Sequence, residues 1–228
     1  ARSLLVNSPN NPTGVVYDRA TWTDIAKVCQ NHNLWLISDE VYDTQVWAGC
    51  HISPRSLEGM EKRTLVIGSM SKSHAMTGSR VGWICGPETV IEQLINLATH
   101  TTYGVPGYIQ DAADFALNQG NEDELKVAAP FRRRRDIAMN LIAGQTVVRA
   151  VPCSGAMYMM LDIRATGLSG DVFAHVLLDS RQIAVMPGES FGQSAAGHVR
   201  VAMTVNDDQF KQALESLLAF AAEQAETT

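Results

Sequence analysis

Short apolar runs alternate with amphipathic segments along the first half of the chain. Four continuous apolar runs have the length of β-strands: residues 4–6, 34–37, 65–67 and 81–85. Runs of this kind are typical of strands that are buried on both faces, as in a parallel sheet covered by helices. Between the first two runs, Trp22, Ile25, Ala26 and Cys29 recur at helical spacing after Asp18, a plausible N-cap. The alternation predicts an α/β domain, with a mostly parallel sheet and helices on both of its faces.

A long charged segment separates the two halves of the pattern. Residues 121–144 have helical character, although they include Pro130 and an arginine run at residues 132–135. An arginine run can form an anion-binding patch, but a solvated helix face is the more common outcome, and we favour it.

The pattern changes after this segment. We predict strands at residues 146–151, 157–163, 183–186 and 198–204, a helix at 171–179, and a final amphipathic helix that begins near Phe210. Shorter strands mixed with helices indicate a smaller α+β domain. We therefore divide the chain into a large domain, residues 1–125, and a small C-terminal domain, residues 126–228.

Composition narrows the class of protein. Hydrophobic residues make up 46% and charged residues 18% of the 228 residues, as in ordinary globular proteins. The formal net charge of −6 argues against nucleic acid as a partner, and no apolar run is long enough to cross a membrane. The four cysteines are scattered, which favours reduced thiols and a cytoplasmic location, and no metal-ligand spacing is present.

A lysine follows the third apolar run in a sequence that fits two templates. Ser69-Met-Ser-Lys72 matches the SxxK motif of serine-nucleophile enzymes, but the SDN-like and KTG elements that accompany that motif are absent. It also matches a strand-end lysine that forms a Schiff base, while a lone surface lysine is the commonest alternative. Arg80 and several hydroxyl side chains lie close by in the sequence, and an arginine with hydroxyls suits a phosphate monoester.

Three more polar residues lie either just after an apolar strand or within one. Asp39 follows the second run, where α/β proteins bind ligands, although for Asp39 taken alone a helix N-cap is the better interpretation. Asn11 lies in a turn rich in proline and can present its amide to a ligand. Arg200 interrupts an apolar strand, so it either pairs with an anion such as a carboxylate or protects an edge strand from aggregation.

Taken together, these segments resemble the class I/II aminotransferases, the fold-type I enzymes that use pyridoxal 5′-phosphate (PLP). The matching segments are AsnAsnProThrGly at 10–14, SerAspGluValTyr at 38–42, the stretch 69–82, and the Arg200 strand preceded by ProGly at 187–188. Residues 72–83 and 103–112 look most like arginine–pyruvate aminotransferases and aspartate-type relatives. The resemblance covers essentially the whole chain and makes residues 1–125 the C-terminal part of a PLP-binding large domain.

The resemblance implies a role for each matched residue. Lys72 would form the internal aldimine and then shuttle the proton at the substrate Cα. Asp39 would pair with the pyridinium nitrogen, while Asn11 and Tyr42 would hydrogen-bond the ring's phenolic oxygen. Lys72, Asp39 and Tyr42 are thus the expected catalytic residues.

The remaining matched residues would bind the two anionic groups. Ser69 and Arg80 would bind the cofactor's phosphate, and Ser71 belongs to the same cofactor-binding set. Arg200, with Asn11, would hold the substrate, the guanidinium on its α-carboxylate. No metal is expected.

The implied function is transfer of the amino group of an L-amino acid to a 2-oxo acid by a ping-pong mechanism, in a homodimer. Two alternatives use the same scaffold: a PLP-binding effector domain of a transcription regulator, and a PLP-dependent C–S lyase. The chain opens in a strand with no initiator Met. We therefore expect it to be cut from a longer protein, to bind PLP weakly, and to transaminate poorly or not at all by itself.

Overall fold

The computed structural model describes residues 1–227. They divide into two compact units. The first comprises Ala1–Pro9 and Val16–Ala128, and the second comprises Asn10–Val15 and the residues from Ala129 onward.

The first unit is built on a four-stranded sheet. Its strands lie in the order β1 (Ser3–Asn7), β2 (Trp35–Asp39), β3 (Thr64–Ser69) and β4 (Gly82–Cys85). The first three strands are parallel, and β4 pairs antiparallel with β3. Its helices are α1 (Arg19–Asn31), α2 (Met70–Ser73), α3 (Glu88–Thr101) and α4 (Gly107–Leu117), and α5 (Glu122–Ala143) begins in this unit. The predicted α/β class with a mostly parallel sheet is confirmed.

Helix α1 shows how local sequence and core packing agree. Asp18 is its N-cap, as predicted, and accepts a hydrogen bond from the Thr21 amide at 2.8 Å. Trp22, Ala26 and Cys29 are buried on one face of α1. They form a hydrophobic cluster with residues that include Leu36 of β2. The helical spacing in the sequence therefore corresponds to the face that covers the sheet.

The outer strands are less covered than the apolar runs suggest. All residues of β4 are exposed, with Trp83 at 40% and Ile84 at 44%, and Leu5 of β1 is 66% exposed. By contrast, Leu36 of the inner strand β2 is fully buried. The prediction that each run is buried on both faces is thus wrong for β1 and β4, because the described helices shield the middle of the sheet better than its flanks.

The second unit contains an antiparallel sheet, the part of α5 from Ala129 onward, and two further helices. The strand order is β5 (Arg149–Ala150), β6 (Tyr158–Asp162), β8 (His198–Ala202) and β7 (Met186–Pro187), and the helices are α6 (Gly170–Arg181) and α7 (Asp207–Thr227). The strand predicted at 146–151 contracts to two residues. Its partner β6 ends at Asp162, opposite Arg149, so no strand remains for the earlier residues to pair with.

The arginine run at 132–135 is not simply a solvated helix face. Arg133 and Arg134 both bind the carboxylate of Asp207, at 2.9 and 2.8 Å. The Arg134 side chain is only 12% exposed and also donates to the Met203 carbonyl at 2.8 Å. The interpretation of the whole run as solvated is wrong, because two guanidinium groups are used to attach the start of α7 to α5.

The proline-rich turn at residues 10–15 packs within the second unit. The amides of Ser154 and Gly155 both donate to the Gly14 carbonyl at 2.8 Å. Gly14 has a φ of +72°, and a Cβ added there would lie 2.6 Å from Cys153 Sγ and 2.9 Å from two backbone oxygens. Glycine is therefore required here both by the left-handed backbone and by the lack of space.

We expect Gly14→Ala to destabilise the second unit by about 2–5 kcal/mol, the sum of left-handed strain and overpacking. Native-state hydrogen exchange of the buried β6 amides measures this change. Gly49→Ala is the matched control, because Gly49 also has a positive φ, of +80°, but has open space around it. It should cost only the strain, about 1–2 kcal/mol in the first unit. Equal effects of the two substitutions would contradict the role of crowding.

Candidate active site

The carboxyl ends of β2 and β3 bring most of the predicted cofactor-binding residues into one region of the first unit. Asp39 is the last residue of β2 and pairs in register with Ile67 of β3. Two residues beyond Ile67, β3 ends at Ser69, and α2 begins at once with Lys72 in its last turn. Because the two strands are parallel, their final residues share one edge of the sheet.

The backbone of α2 is shaped by serine side chains. Ser69 is the N-cap and accepts a hydrogen bond from the Ser71 amide at 3.1 Å. Its own hydroxyl donates to the Val81 carbonyl at 3.3 Å, and the Ser73 hydroxyl donates to the Ser69 carbonyl at 3.3 Å. These contacts hold the turn that carries Lys72, which is half-buried.

Arg80 returns to this turn because β4 pairs with β3. Ser69 lies opposite Gly82, and the Met70 amide donates to the Val81 carbonyl at 3.3 Å. Arg80 immediately precedes this pairing, in a left-handed conformation with a φ of +53°. Its guanidinium is exposed and donates to the Thr77 carbonyl at 2.8 Å.

The two cations of this region have no anionic partner among residues 1–227. Neither Lys72 nor Arg80 forms an ion pair with any carboxylate of the described chain. The Lys72 amine and the Arg80 guanidinium therefore carry positive charge that no carboxylate of the described chain compensates. Both lie close in sequence to the hydroxyl groups of Ser69 and Ser71. This arrangement suits a ligand that carries a phosphate dianion and a group that reacts with an amine.

Asp39 is the reverse case, a carboxylate that lacks a cationic partner in the described chain. Burial raises the pKa of its carboxyl group, the Val41 amide that donates to it at 3.2 Å lowers that pKa, and the nearby Glu40 carboxylate raises it further. Within residues 1–227, no cation pairs with the Asp39 carboxylate. A partly buried carboxylate of this kind is stabilised by a partner that bears a proton, such as a protonated ring nitrogen.

Tyr42 lies in the turns that follow Asp39. It is 3% exposed, and its carbonyl accepts a hydrogen bond from the Gln45 amide at 2.8 Å. The preceding turn is closed by the Asp43 amide, which donates to the Glu40 carbonyl at 2.9 Å. Glu40 is itself buried and binds His51 at 2.8 Å and the Ser53 hydroxyl at 2.9 Å. The segment that carries Tyr42 is therefore anchored from both sides.

The other two predicted residues, Asn11 and Arg200, meet within the second unit. Arg200 in β8 donates to the Asn11 side-chain oxygen at 2.9 Å. Its guanidinium lies over the rings of Tyr158, at 4.2 Å, and Phe191, at 5.0 Å. Its Nε is buried without a hydrogen-bond partner among residues 1–227. Two aromatic faces hold the cation in place without neutralising it, so the group is free to bind a carboxylate.

Sequence reasoning missed three residues of these two groups. Tyr158 and Phe191 contact Arg200, and the Gln45 side chain contacts the backbone of Lys72. For Tyr158 a signal existed. It lies two residues before Met160, which pairs with Arg200 across the sheet, so strand parity puts all three on one face. Gln45 lies in irregular backbone and Phe191 ends a short 3-10 helix, Gly188–Phe191, so no periodic pattern indicates their contacts.

Neither a membrane-spanning segment nor a metal site emerges from the described chain. None of the helices within residues 1–227 combines the length and hydropathy that crossing a bilayer requires. Over the same residues, no cluster of three or more His, Cys, Asp or Glu side chains has a geometry that could hold a metal ion.

Comparison with known proteins identifies similar sequences and structures. The family model "Aminotransferase class I and II" matches residues 1–217. The arginine–pyruvate transaminase AruH of Pseudomonas aeruginosa is 44% identical over 222 residues, which cover 97% of this chain and 56% of that protein. An aromatic aminotransferase from Pyrococcus horikoshii has a TM-score of 0.90 at 33% identity, over 98% of this chain and 60% of that one.

A third similar protein is a double mutant of Thermus thermophilus aspartate aminotransferase. Its structure has a TM-score of 0.88 at 33% identity, over 97% of this chain and 56% of that chain. The chain thus spans a little over half the length of the relatives that it matches.

The raised pKa of Asp39 predicts a pH-dependent gain in stability from Asp39→Asn. A carboxyl group whose pKa is higher in the folded state binds its proton more tightly there, so its ionisation at neutral pH weakens folding. We expect Asp39→Asn to have the higher free energy of unfolding at pH 7. This advantage should vanish as the pH falls below about 3.9, where Asp is protonated even in the unfolded chain. Urea unfolding followed by Trp fluorescence measures the change, because all the tryptophans lie in the first unit.

Asp111→Asn is the control for Asp39→Asn, because it removes one negative charge from an exposed position on α4. Its unfolding free energy should stay within about 0.5 kcal/mol of the parent chain. A gain for Asp39→Asn that is independent of pH, or a loss at pH 7, would contradict the assigned burial of the carboxylate.

Proposed function

Because this chain belongs to the class I and II aminotransferase family, we propose that it takes part in PLP-dependent transfer of an amino group from an L-amino acid to a 2-oxo acid. The family predicted from the four sequence segments is confirmed, and its members depend on PLP. One observation of this chain carries the proposal. At one end of the sheet, Lys72 and Arg80 lack carboxylate partners within the described residues, and Asp39 lacks a cation there.

These three charges fit the three reactive parts of PLP. When bound, the cofactor supplies an aldehyde that condenses with amines and a protonated ring that accepts electrons from the substrate Cα. The amine of Lys72 suits the aldehyde, and Arg80 with Ser69 and Ser71 suits the phosphate. The partly buried carboxylate of Asp39 suits the ring nitrogen, whose proton it would retain.

Lys72 has two roles in this proposal. Its Nζ holds the cofactor before the substrate arrives, and once released it moves the proton at the substrate Cα. Lys72 lies in a turn whose backbone is fixed by hydrogen bonds, so the amine is delivered from a defined position.

Further residues orient the cofactor and the substrate. We assign Tyr42 and Asn11 to hydrogen bonds with the phenolic oxygen of the cofactor ring, and Arg200 to the substrate α-carboxylate. The support for Arg200 is its buried Nε without a partner in the described residues, together with the aromatic rings of Tyr158 and Phe191 that fix its plane.

The proposal extends to organisation. Residues 1–125 would belong to the PLP-binding large domain and residues 126–228 to the small domain. The whole protein would act as a cytoplasmic homodimer, without metal or nucleic acid, on amino acid and 2-oxo acid substrates.

We expect PLP to label Lys72 in preference to the other lysines of the chain. Incubation with PLP, reduction with borohydride and peptide mass mapping would locate the label. Lys62 is the internal reference, because it is exposed and, like Lys72, forms no ion pair with the described residues. Its neighbour Arg63 is occupied by backbone contacts and donates to the Cys29 carbonyl at 3.1 Å. The ratio of label at Lys72 to label at Lys62 therefore reports the site.

Two controls separate the contributions to labelling. Lys72→Ala should abolish the preferred label, whereas Lys62→Ala should leave label at Lys72 unchanged. Pyridoxal, which has the aldehyde without the phosphate, should show a weaker preference for Lys72 because Arg80 then has nothing to bind. Equal labelling of Lys72 and Lys62 by PLP would contradict the proposed cofactor site.

The reaction class can be read from the products. We expect any product that the PLP-treated chain forms from an amino acid in a single-turnover experiment to be the corresponding 2-oxo acid, without free ammonia. Lys72→Ala is the control and should release none above the PLP-only background. Release of ammonia and a thiol from a cysteine conjugate would instead favour C–S lyase chemistry, the alternative that the sequence leaves open.

A further inference from the structure

Gln45 joins the two segments that carry the proposed cofactor residues of the first unit. It lies three residues after Tyr42 and is fully buried. Its backbone amide donates to the Tyr42 carbonyl at 2.8 Å, and its side-chain Nε2 donates to the Lys72 carbonyl at 3.2 Å. One residue therefore contacts both the segment of Tyr42 and the turn of Lys72, although Gln45 and Lys72 are 27 positions apart in the chain.

The turn that carries Lys72 needs such contacts. Helix α2 has only four residues, a length at which helices are not stable by themselves. Its N-terminal side is capped by Ser69. The carbonyls near the C-terminal end of a helix lack intrahelical donors, and Gln45 supplies a donor to that of Lys72.

The amide of Gln45 can face Lys72 in one orientation only. The group opposite it is a carbonyl oxygen, which accepts hydrogen bonds and repels another oxygen, so the NH₂ must point toward Lys72. The amide oxygen Oε1 is then buried with no donor within residues 1–227. An aliphatic residue of the same volume would pack here without leaving that oxygen unsatisfied. Such a residue would leave the Lys72 carbonyl without this donor, so the contact with Lys72 is what accounts for a glutamine here.

We propose that Gln45 is a positioning residue for Lys72. Its side chain sets the backbone of the lysine relative to the segment of Asp39 and Tyr42, and thereby sets where the amine is presented. This inference rests on the proposed role of Lys72 as the cofactor-bonding residue. The hydrogen bonds that Gln45 donates go to the backbone carbonyls of Tyr42 and Lys72 and not to the Lys72 amine.

Gln45→Met tests the proposal, because methionine keeps the volume and removes the donor. We expect the Lys72:Lys62 ratio of PLP label to fall roughly fivefold, the size of effect that one net hydrogen bond has. Both labels are measured in the same sample of each variant. The temperature is one at which Trp fluorescence shows every variant to be folded. A residue that only stabilises the fold would change the melting temperature and leave this ratio unaltered.

The matched control is Gln30→Met. Gln30 Nε2 donates to the Glu58 carbonyl at 2.8 Å, so it makes the same kind of contact in the same unit, between segments without site residues. The ratio should stay at the parent value in this variant. Gln45→Leu is the second test variant, since leucine also has no donor for the Lys72 carbonyl. It should lower the ratio as well, and it covers the case in which the methionine variant does not fold.

The outcomes distinguish this inference from the proposed function. If the parent chain shows no preference for Lys72 over Lys62, the proposed cofactor site fails and the inference fails with it. If the parent chain shows the preference, and the folded Gln45 variants retain it in full, only the positioning role of Gln45 is overturned. A fall in both Gln45 variants, with none in Gln30→Met, supports the role.

Discussion

The parallel pairing of β2 with β3 is the constraint on which the first unit's candidate site depends. Two adjacent parallel strands end at the same edge of the sheet, so Asp39 and Ser69, the last residues of these strands, lie in the same region. The residues that directly follow each strand therefore also begin at this edge of the sheet. The antiparallel return of β4 then adds Arg80, because Gly82 is held opposite Ser69. Backbone hydrogen bonds alone thus gather an acid, an amine and a guanidinium from three separate segments.

The charges gathered in this way are not arranged for the stability of the chain by itself. Two cations lack anionic partners in the described residues, and a carboxylate with a raised pKa lies without a cation there. Groups that could have neutralised one another are held apart by the strands that carry them. A ligand with a phosphate and a proton-bearing nitrogen would compensate both kinds of charge, and its binding would stabilise the folded state by mass action.

The second unit holds its cation by a different means. Arg200 is fixed by the faces of Tyr158 and Phe191 and by the oxygen of Asn11, all of which are uncharged. By contrast, Arg134 in the same unit is neutralised by Asp207 and satisfied by a backbone carbonyl. The two arginines show the difference between a guanidinium used to join helices and one kept available for an anion. Aromatic faces orient the charge while leaving its hydrogen-bonding edge open.

Local pattern was enough to predict much of this protein. The periodicity of apolar residues located α1, α5, α6, α7 and most strands, and Asp18 was recognisable as a cap, because these features depend on residues a few positions apart. The motifs around Lys72, Asp39 and Arg80 identified the family for the same reason: strand-to-turn segments keep their chemistry in short stretches. Which roles those residues have in this chain stays a prediction.

Tertiary structure decided what depends on distant partners. The strand predicted at 146–151 is short because β6 ends at Asp162, and β4 is exposed although its residues are apolar. Gln45 contacts Lys72 from 27 positions away, and Asn11 contacts Arg200 from 189 positions away. No local pattern encodes such contacts, because the sheet register and the packing of turns bring those residues together only after the whole unit has folded. The sequence by itself therefore determined the elements and the chemistry available, and the fold determined which side chains hold that chemistry in place.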